Sequence, residues 1–265
     1  MSELFQHRAR KRFGQNFLHD AGVIHRILRA IAPKEGQHLL EIGPGQGALT
    51  EGLVDSGAQL DVIELDLDLI PQLKWRFGLK PNFRLHQGDA LKFDFATLPQ
   101  AGEKLRVVGN LPYNISSPIL FHCIDAIDAI ADMHFMLQKE VVDRMAAAPG
   151  SKVYGRLSVM LQLACRVEPL LEVPPSAFIP PPKVDSAVVR LVPRPAPERP
   201  DAAAAAIARV VKAAFGQRRK TLSNALHGVL DAGQIVAAGI DPKTRAEQLP
   251  PQAFVALARA LPPAA

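Results

Sequence analysis

The sequence predicts an α/β fold: a parallel sheet covered by helices on both faces, followed by a small all-helical domain. Three observations predict it. Short apolar runs alternate with helix-length amphipathic segments over the first two thirds of the chain. A proline-rich stretch then interrupts regular structure. Beyond it, only helical spacing recurs.

The first apolar run, His38–Ile42, ends in glycines. Further strands are expected at Leu60–Leu65, Asn82–His86, Leu105–Val108 and Met133–Leu137, with a late one at Val184–Leu191. Ala48–Asp55 and Leu67–Phe77 carry amphipathic patterns between them. In Ile115–Ile130, residues Ile119, Leu120, Cys123, Ile124 and Ile127 have helical spacing. Strands separated by helices imply parallel pairing. Nine of the 23 prolines fall between Pro174 and Pro200, and Pro193–Pro200 reads as a semi-rigid linker. The expected domains are therefore 1–195 and 201–265. In the second, Asp201 is expected to cap a helix whose apolar face carries Ile207, Val210, Val211, Ala214 and Phe215. Leu222, Leu226, Val229 and Leu230 line another face. Thr244-Arg245-Ala246-Glu247 resembles a capping box, and Phe254, Leu257 and Leu261 mark a last helix.

The chain has 265 residues, is 48% hydrophobic and 22% charged, and can bury a sizeable core. Two cysteines exclude a disulfide framework and a multi-cysteine zinc site, and fit a reducing compartment. There is no apolar run of membrane-spanning length and no signal-peptide core at the N-terminus, so a soluble, cytoplasmic protein is expected. The net charge of +5 is unevenly spread. Residues 1–179 hold 19 Lys and Arg against 20 Asp and Glu; residues 180–265 hold 12 against 6. Arg8, Arg10, Lys11 and Arg12 add a basic cluster near the start. Basic ends on a balanced body suit a polyanion, although a solubilising face would look the same.

The first strand runs into Glu41-Ile42-Gly43-Pro44-Gly45-Gln46-Gly47-Ala48. Glycines there allow a tight turn and close approach of a ligand to the backbone. Glu64 ends the second strand, where a carboxylate can accept from ribose hydroxyls. Together they read as a nucleoside site. The loop satisfies a dinucleotide fingerprint in its G-x-G-x-x-A form, so a dehydrogenase stays open. Glu-x-Gly-x-Gly-x-Gly is closer to the loop of S-adenosylmethionine methyltransferases. Asp89, followed by Ala90 after the third strand, tips the balance, because it can reach an adenine amine.

The fourth strand ends in Asn110-Leu111-Pro112-Tyr113. Asn-x-Pro-Tyr at this place resembles the signature of methyltransferases that modify exocyclic amines of nucleobases. An adenine amine is a poor nucleophile because its lone pair is conjugated with the ring. Hydrogen-bond acceptors on its N–H groups favour pyramidal geometry and support the charge that develops. The Asn110 side-chain carbonyl can be one acceptor. Pro112 stiffens the turn and disfavours helix at Leu111. Tyr113 offers a face to a base taken out of its stack. Such catalysis is mostly positioning and electrostatics.

With these residues in place, the chain resembles the small-subunit ribosomal RNA adenine dimethyltransferases. Four further segments carry the resemblance: Lys11–Leu18, Phe178–Ser186, Phe215–Leu222 and Arg245–Leu249. The resemblance spans almost the whole chain. It implies a Rossmann-like S-adenosylmethionine methyltransferase domain and dimethylation of two adjacent adenines near the 3′ end of that RNA. Asn16, Leu18, Gly43, Gly45, Glu64, Asp89, Ala90 and Asn110 are then expected at the cofactor. The carbonyl of Leu111 would be the second acceptor, and Phe178 would face Tyr113 across the target base. Lys11, Arg12, Arg218, Arg219 and Lys220 would contact RNA. The implied partner is RNA in an assembling small (30S) subunit, met by a monomer without a membrane. No metal is expected, since the eight histidines lack ligand spacing and a sulfonium needs none. Three alternatives stay open: a large-subunit dimethyltransferase of the antibiotic-resistance type, a non-catalytic assembly or transcription factor, and a dehydrogenase. The Arg218–Leu222 motif and the helices after it are read as evidence against the first.

Overall fold

The computed structural model describes residues 15–100, 102–113 and 115–262. Lys11 and Arg12, two of the expected RNA contacts, lie outside them. The described chain forms two units.

The first unit runs to Val142 and resumes over Glu168–Pro193. Its strands are β1 (Phe17–Leu18), β2 (His38–Ile42), β3 (Gln59–Glu64), β4 (Phe83–Gln87), β5 (Leu105–Asn110), β6 (Ile130–Gln138), β7 (Cys165–Val173), β8 (Phe178–Ile179) and β9 (Ser186–Pro193). Its helices are α1 (Ala21–Ile31), α2 (Thr50–Asp55), α3 (Ile70–Phe77) and α4 (Ser116–Asp125), and α5 (Lys139–Ala146) begins in it. Seven strands form one sheet in the order β4-β3-β2-β5-β6-β9-β7. β4 through β6 pair in parallel, and β9 runs antiparallel to β6. β2 is buried throughout, as its apolar run requires in a sheet covered on both faces. Strand order reverses at β2, whose neighbours are β3 on one side and β5 on the other. In such a sheet the crevice outside the carboxyl ends, at the reversal, is the binding place.

Each expected strand is present, most within one to three residues of its predicted ends. The helical spacing in Ile115–Ile130 corresponds to a helix, α4, followed by a 3-10 turn at Ile127–Ala129. α1 and β7 are additional elements. α1 is capped by Asp20, whose side chain accepts from the Val23 N–H, and it buries Val23, Ile27 and Ile31. Away from the strand ends that hold the glycine loop, Arg106 of β5 donates to both oxygens of buried Asp132 at 2.9 and 3.1 Å. It also donates to the carbonyl of Ile31 at 2.6 Å, and Arg190 of β9 joins Asp132 at 3.1 Å. One carboxylate thus ties β5, β6 and β9 together, and the arginines hold it below the usual carboxylate range against its burial.

The second unit comprises Asp143–Val167 and Arg194–Ala265. The linker expectation at Pro193 matches this boundary, but the division into 1–195 and 201–265 misses a segment. Asp143–Val167 contains the end of α5 and α6 (Arg156–Ala164), and it packs with the C-terminal helices. These are α7 (Ala204–Gly216), α8 (Leu222–Ala225), α9 (Ala232–Ala237) and α10 (Pro251–Arg259). The reason is apolar burial: Tyr154, Val159 and Leu163 share a core with Ile207, Val210, Leu226 and Phe254. The Tyr154 hydroxyl also donates to the Leu249 carbonyl at 2.9 Å. Two capping expectations are corrected. Asp201 pairs with Arg259 instead of capping, and α7 starts at an Ala203 cap. The turn near Thr244 is a 3-10 segment, Ala246–Gln248, in which Gln248 accepts from the Arg245 N–H at 3.2 Å.

Candidate active site

The loop after β2 is held against β3. The Gly43 N–H donates to the Ile63 carbonyl at 2.9 Å, and the Gly45 N–H donates to Glu64 Oε2 at 3.2 Å. Gly45 has φ +58, and a Cβ there would stand 3.2 Å from the Phe17 ring. Glycine therefore serves both the turn and the approach of β1. Arg76 of α3 donates to the Gln46 carbonyl at 2.5 Å. At the reversal point, a Cβ on Gly109 would lie 2.7 Å from the Ile42 carbonyl oxygen, so only glycine lets β5 come this close to β2.

These strand ends enclose a cavity of about 370 Å³. Asn16, Leu18, Gly43, Gly45 and Glu64 line it, as do Asp89 and Ala90 after β4. Asn110, Leu111, Pro112 and Tyr113 close its other side. All the expected cofactor residues therefore meet in one place. Asp89 Oδ1 accepts from the Leu91 N–H at 3.0 Å, and its Oδ2 has no partner among the described residues. Glu64 also accepts from the Asp66 N–H at 2.8 Å. Burial raises the Glu64 pKa, and the backbone N–H groups of Asp66, Gly45 and Leu65 oppose the rise.

Glu41 is a wall residue to which the sequence reading gave no role. It is 2% exposed, and its Oε2 accepts from the Thr50 hydroxyl at 2.6 Å. Burial pushes its pKa up to about 7, and the nearby Glu64 adds to the rise. Its signal in the sequence was the acidic residue two places before the first glycine. Asp66, held by the Gln15 amide at 2.9 Å, was likewise missed.

Two contacts set the Asn-Leu-Pro-Tyr turn. Asn110 Nδ2 donates to the Asn16 carbonyl at 3.0 Å. The amide nitrogen is thereby directed at β1, which leaves Oδ1 as the free end of the side chain. The Leu111 N–H donates to the Met136 carbonyl at 3.1 Å, while the Leu111 carbonyl has no partner among the described residues. The Tyr113 phenol is raised in pKa by burial and stays neutral at physiological pH.

Phe178 departs from expectation. It is 2% exposed, packs in the core with Leu18, Val173 and Val188, and does not line the cavity. β8 pairs with β1, and Phe178 stands opposite Leu18, so both side chains turn to the same inner side. A partner across a base needs an open ring face, which this position does not present. In the second unit, Arg218 donates to Glu247 Oε2 at 2.9 Å and to the Ser151 carbonyl at 3.3 Å. It is thus engaged within its own unit, though it is exposed, as Arg219 and Lys220 are. Among the described residues, no group of three or more His, Cys, Asp or Glu is placed to hold a metal ion.

The strand order and this cavity define a class: S-adenosylmethionine-dependent methyltransferases. The cavity suits that cofactor, with carboxylates for a cation and a ribose and with close backbone at Gly45. Residues 6–261 match the family described as ribosomal RNA adenine dimethylase. A Pseudomonas aeruginosa protein named ribosomal RNA small subunit methyltransferase A is 67% identical, covering 98% of this chain and 97% of the relative. One of the same name from Nitrosococcus oceani is 56% identical, covering 96% of each. The chain belongs to the ribosomal RNA adenine dimethylase family. Among solved structures, a dimethyladenosine transferase from Plasmodium falciparum matches with TM-score 0.76 at 25% identity, covering 91% of this chain and 95% of that one. The 23S rRNA methyltransferase ErmE matches with TM-score 0.70 at 28% identity, covering 93% and 99%. The second match corrects one inference. The C-terminal helices do not separate small- from large-subunit enzymes, because ErmE shares the fold over nearly the whole chain.

Proposed function

We propose that this chain dimethylates the exocyclic amines of two adjacent adenosines near the 3′ end of small-subunit ribosomal RNA, acting on an assembling subunit as a cytoplasmic monomer. The supporting observation is the Asn110–Asn16 contact, which engages Nδ2 and leaves Oδ1 to accept from an amine. When bound, S-adenosylmethionine supplies a methyl group on a sulfonium.

The residues of this chain supply position and charge. Glu64 holds the ribose and Asp89 the adenine amine. Asn110 Oδ1 and the Leu111 carbonyl accept from the two N–H groups of the target amine. After one methylation a single N–H remains, so one acceptor suffices for the second transfer. Both acceptors are fixed in advance and need no reorganisation as charge develops. Tyr113 provides the stacking face.

In cells lacking this chain, small-subunit RNA is expected to carry unmodified adenosines at both positions, and re-expression should restore dimethyladenosine. Full modification without the chain would overturn the reading. For the RNA grip, Arg219→Ala with Lys220→Ala should lower the salt slope of log affinity by roughly 1.5, with cofactor affinity unchanged. An unchanged slope would remove these two residues from the RNA contact. Point substitutions suit this test because removing 201–265 would expose Tyr154, Val159 and Leu163, whose apolar partners lie in that segment.

A further inference from the structure

We propose that Ser186 is a positioning residue that fixes where the long axis of the Tyr113 ring points in the site. The Tyr113 hydroxyl and Ser186 Oγ share a hydrogen bond with oxygens 2.9 Å apart. Ser186 is 0% exposed and opens β9, where it stands opposite Gln138 at the end of β6. The Lys139 N–H donates to the Asp185 carbonyl at 2.9 Å and closes this strand end. Ser186 Oγ is therefore presented from the sheet, not from a loop. At its other end, Tyr113 is held through its carbonyl, which accepts from Ser116 Oγ at 3.0 Å in the first turn of α4.

A ring held at both the backbone and the para oxygen cannot swing about χ1 without breaking a contact, because that rotation carries the hydroxyl away from Ser186. Stacking alone needs no hydroxyl, since a phenylalanine has the same π-face. The hydroxyl of Tyr113 acts as the anchor that turns an aromatic surface into an oriented one. Orientation matters because transfer needs the amine in line with the methyl group, and small misplacements of a reacting group are costly. Phe178 is buried and does not line the cavity, whereas Tyr113 does. A buried serine paired to a cavity aromatic is a means of setting the direction of that ring.

The proposal rests on the base-stacking role given to Tyr113 above. Its test compares Ser186→Ala, Tyr113→Phe and the double variant, with kcat and KM measured on unmethylated small subunits. Each single variant should lose roughly three- to tenfold in kcat, the worth of a neutral hydrogen bond. The double variant should lose no more than either single one, because both remove the same bond. Ser186→Thr, which keeps the hydroxyl, should recover most of the rate. Cofactor affinity should stay close to that of the parent protein. A parental kcat in either single variant, multiplying losses in the double variant, or a loss confined to cofactor affinity would overturn the proposal. Inactivity of the parent protein on both ribosomal subunits would instead overturn the functional reading beneath it.

Discussion

Replacing Asn110 with alanine is expected to leave cofactor binding intact and to slow methyl transfer roughly 10²- to 10³-fold, the scale seen when one preorganised charge-stabilising group is removed. Among the described residues the side chain makes one hydrogen bond, Nδ2 to the Asn16 carbonyl at 3.0 Å. Its loss costs the fold little, since Asn110 is the last residue of β5 and the strand is paired through its backbone. Asn110→Asp is the sharper variant. It keeps an acceptor but sets a carboxylate oxygen against the Asn16 carbonyl, so the head of the side chain is pushed out of place. The expected rate lies between that of the parent and of Asn110→Ala, and pre-steady-state transfer on small subunits measures it. A variant with alanine and a parental rate would remove Asn110 from the chemistry.

Replacing Glu41 with glutamine is expected to stabilise the cofactor-free protein and to weaken its hold on the cofactor. Burial raises the Glu41 pKa from 4.5 to about 7. A carboxyl raised in the folded state contributes its stability below the unfolded value and loses it as pH climbs through the folded one. At pH 8 the ionised group is buried at a cost of about 3 kcal/mol, from 1.36 kcal/mol per pKa unit. Glutamine keeps an acceptor for the Thr50 hydroxyl without that cost. Its thermal midpoint should exceed the parent's by roughly 5 °C or more at pH 8 and match it near pH 4.5. The cofactor is cationic, so parental affinity should fall as pH drops below about 7 and Glu41 takes up a proton. In the variant, affinity should be lower at pH 8, and the part of its pH dependence due to Glu41 should vanish. Equal midpoints at pH 8 would mean that the buried carboxylate is not a cost. A higher midpoint in the variant would mean that the site holds charge at the expense of stability, a common trade in binding cavities.

Much of this site could be read in the sequence because it sits where local rules are strongest. Strands β2 to β5 announce themselves by apolar runs, and the site residues lie at their ends, next to glycines and Asn-Leu-Pro-Tyr. What could not be read depends on contacts distant along the chain. β1 and β8 are two residues each, too short for any periodicity, and they pair across some 160 residues. That pairing is what buries Phe178 and contradicts its expected open face. β7 carries Arg166, Glu168 and Glu172 on a largely exposed strand, so no apolar run marks it. The share of Asp143–Val167 in the second unit follows from packing around Tyr154, which no linker signal announces. Ser186 is a serine in a strand start, and only the fold brings it within 2.9 Å of Tyr113. The cation count of the C-terminal part was legible, but the commitment of Arg218 to Glu247 was not.

This cavity is expected to methylate adenines of the small subunit. Purified protein, S-adenosylmethionine and unmethylated small or large subunits should be combined, and the RNA digested and read by mass spectrometry. The account predicts two adjacent dimethyladenosines near the 3′ end of small-subunit RNA and none in large-subunit RNA. Dimethyladenosine in large-subunit RNA alone, or in neither, would contradict it.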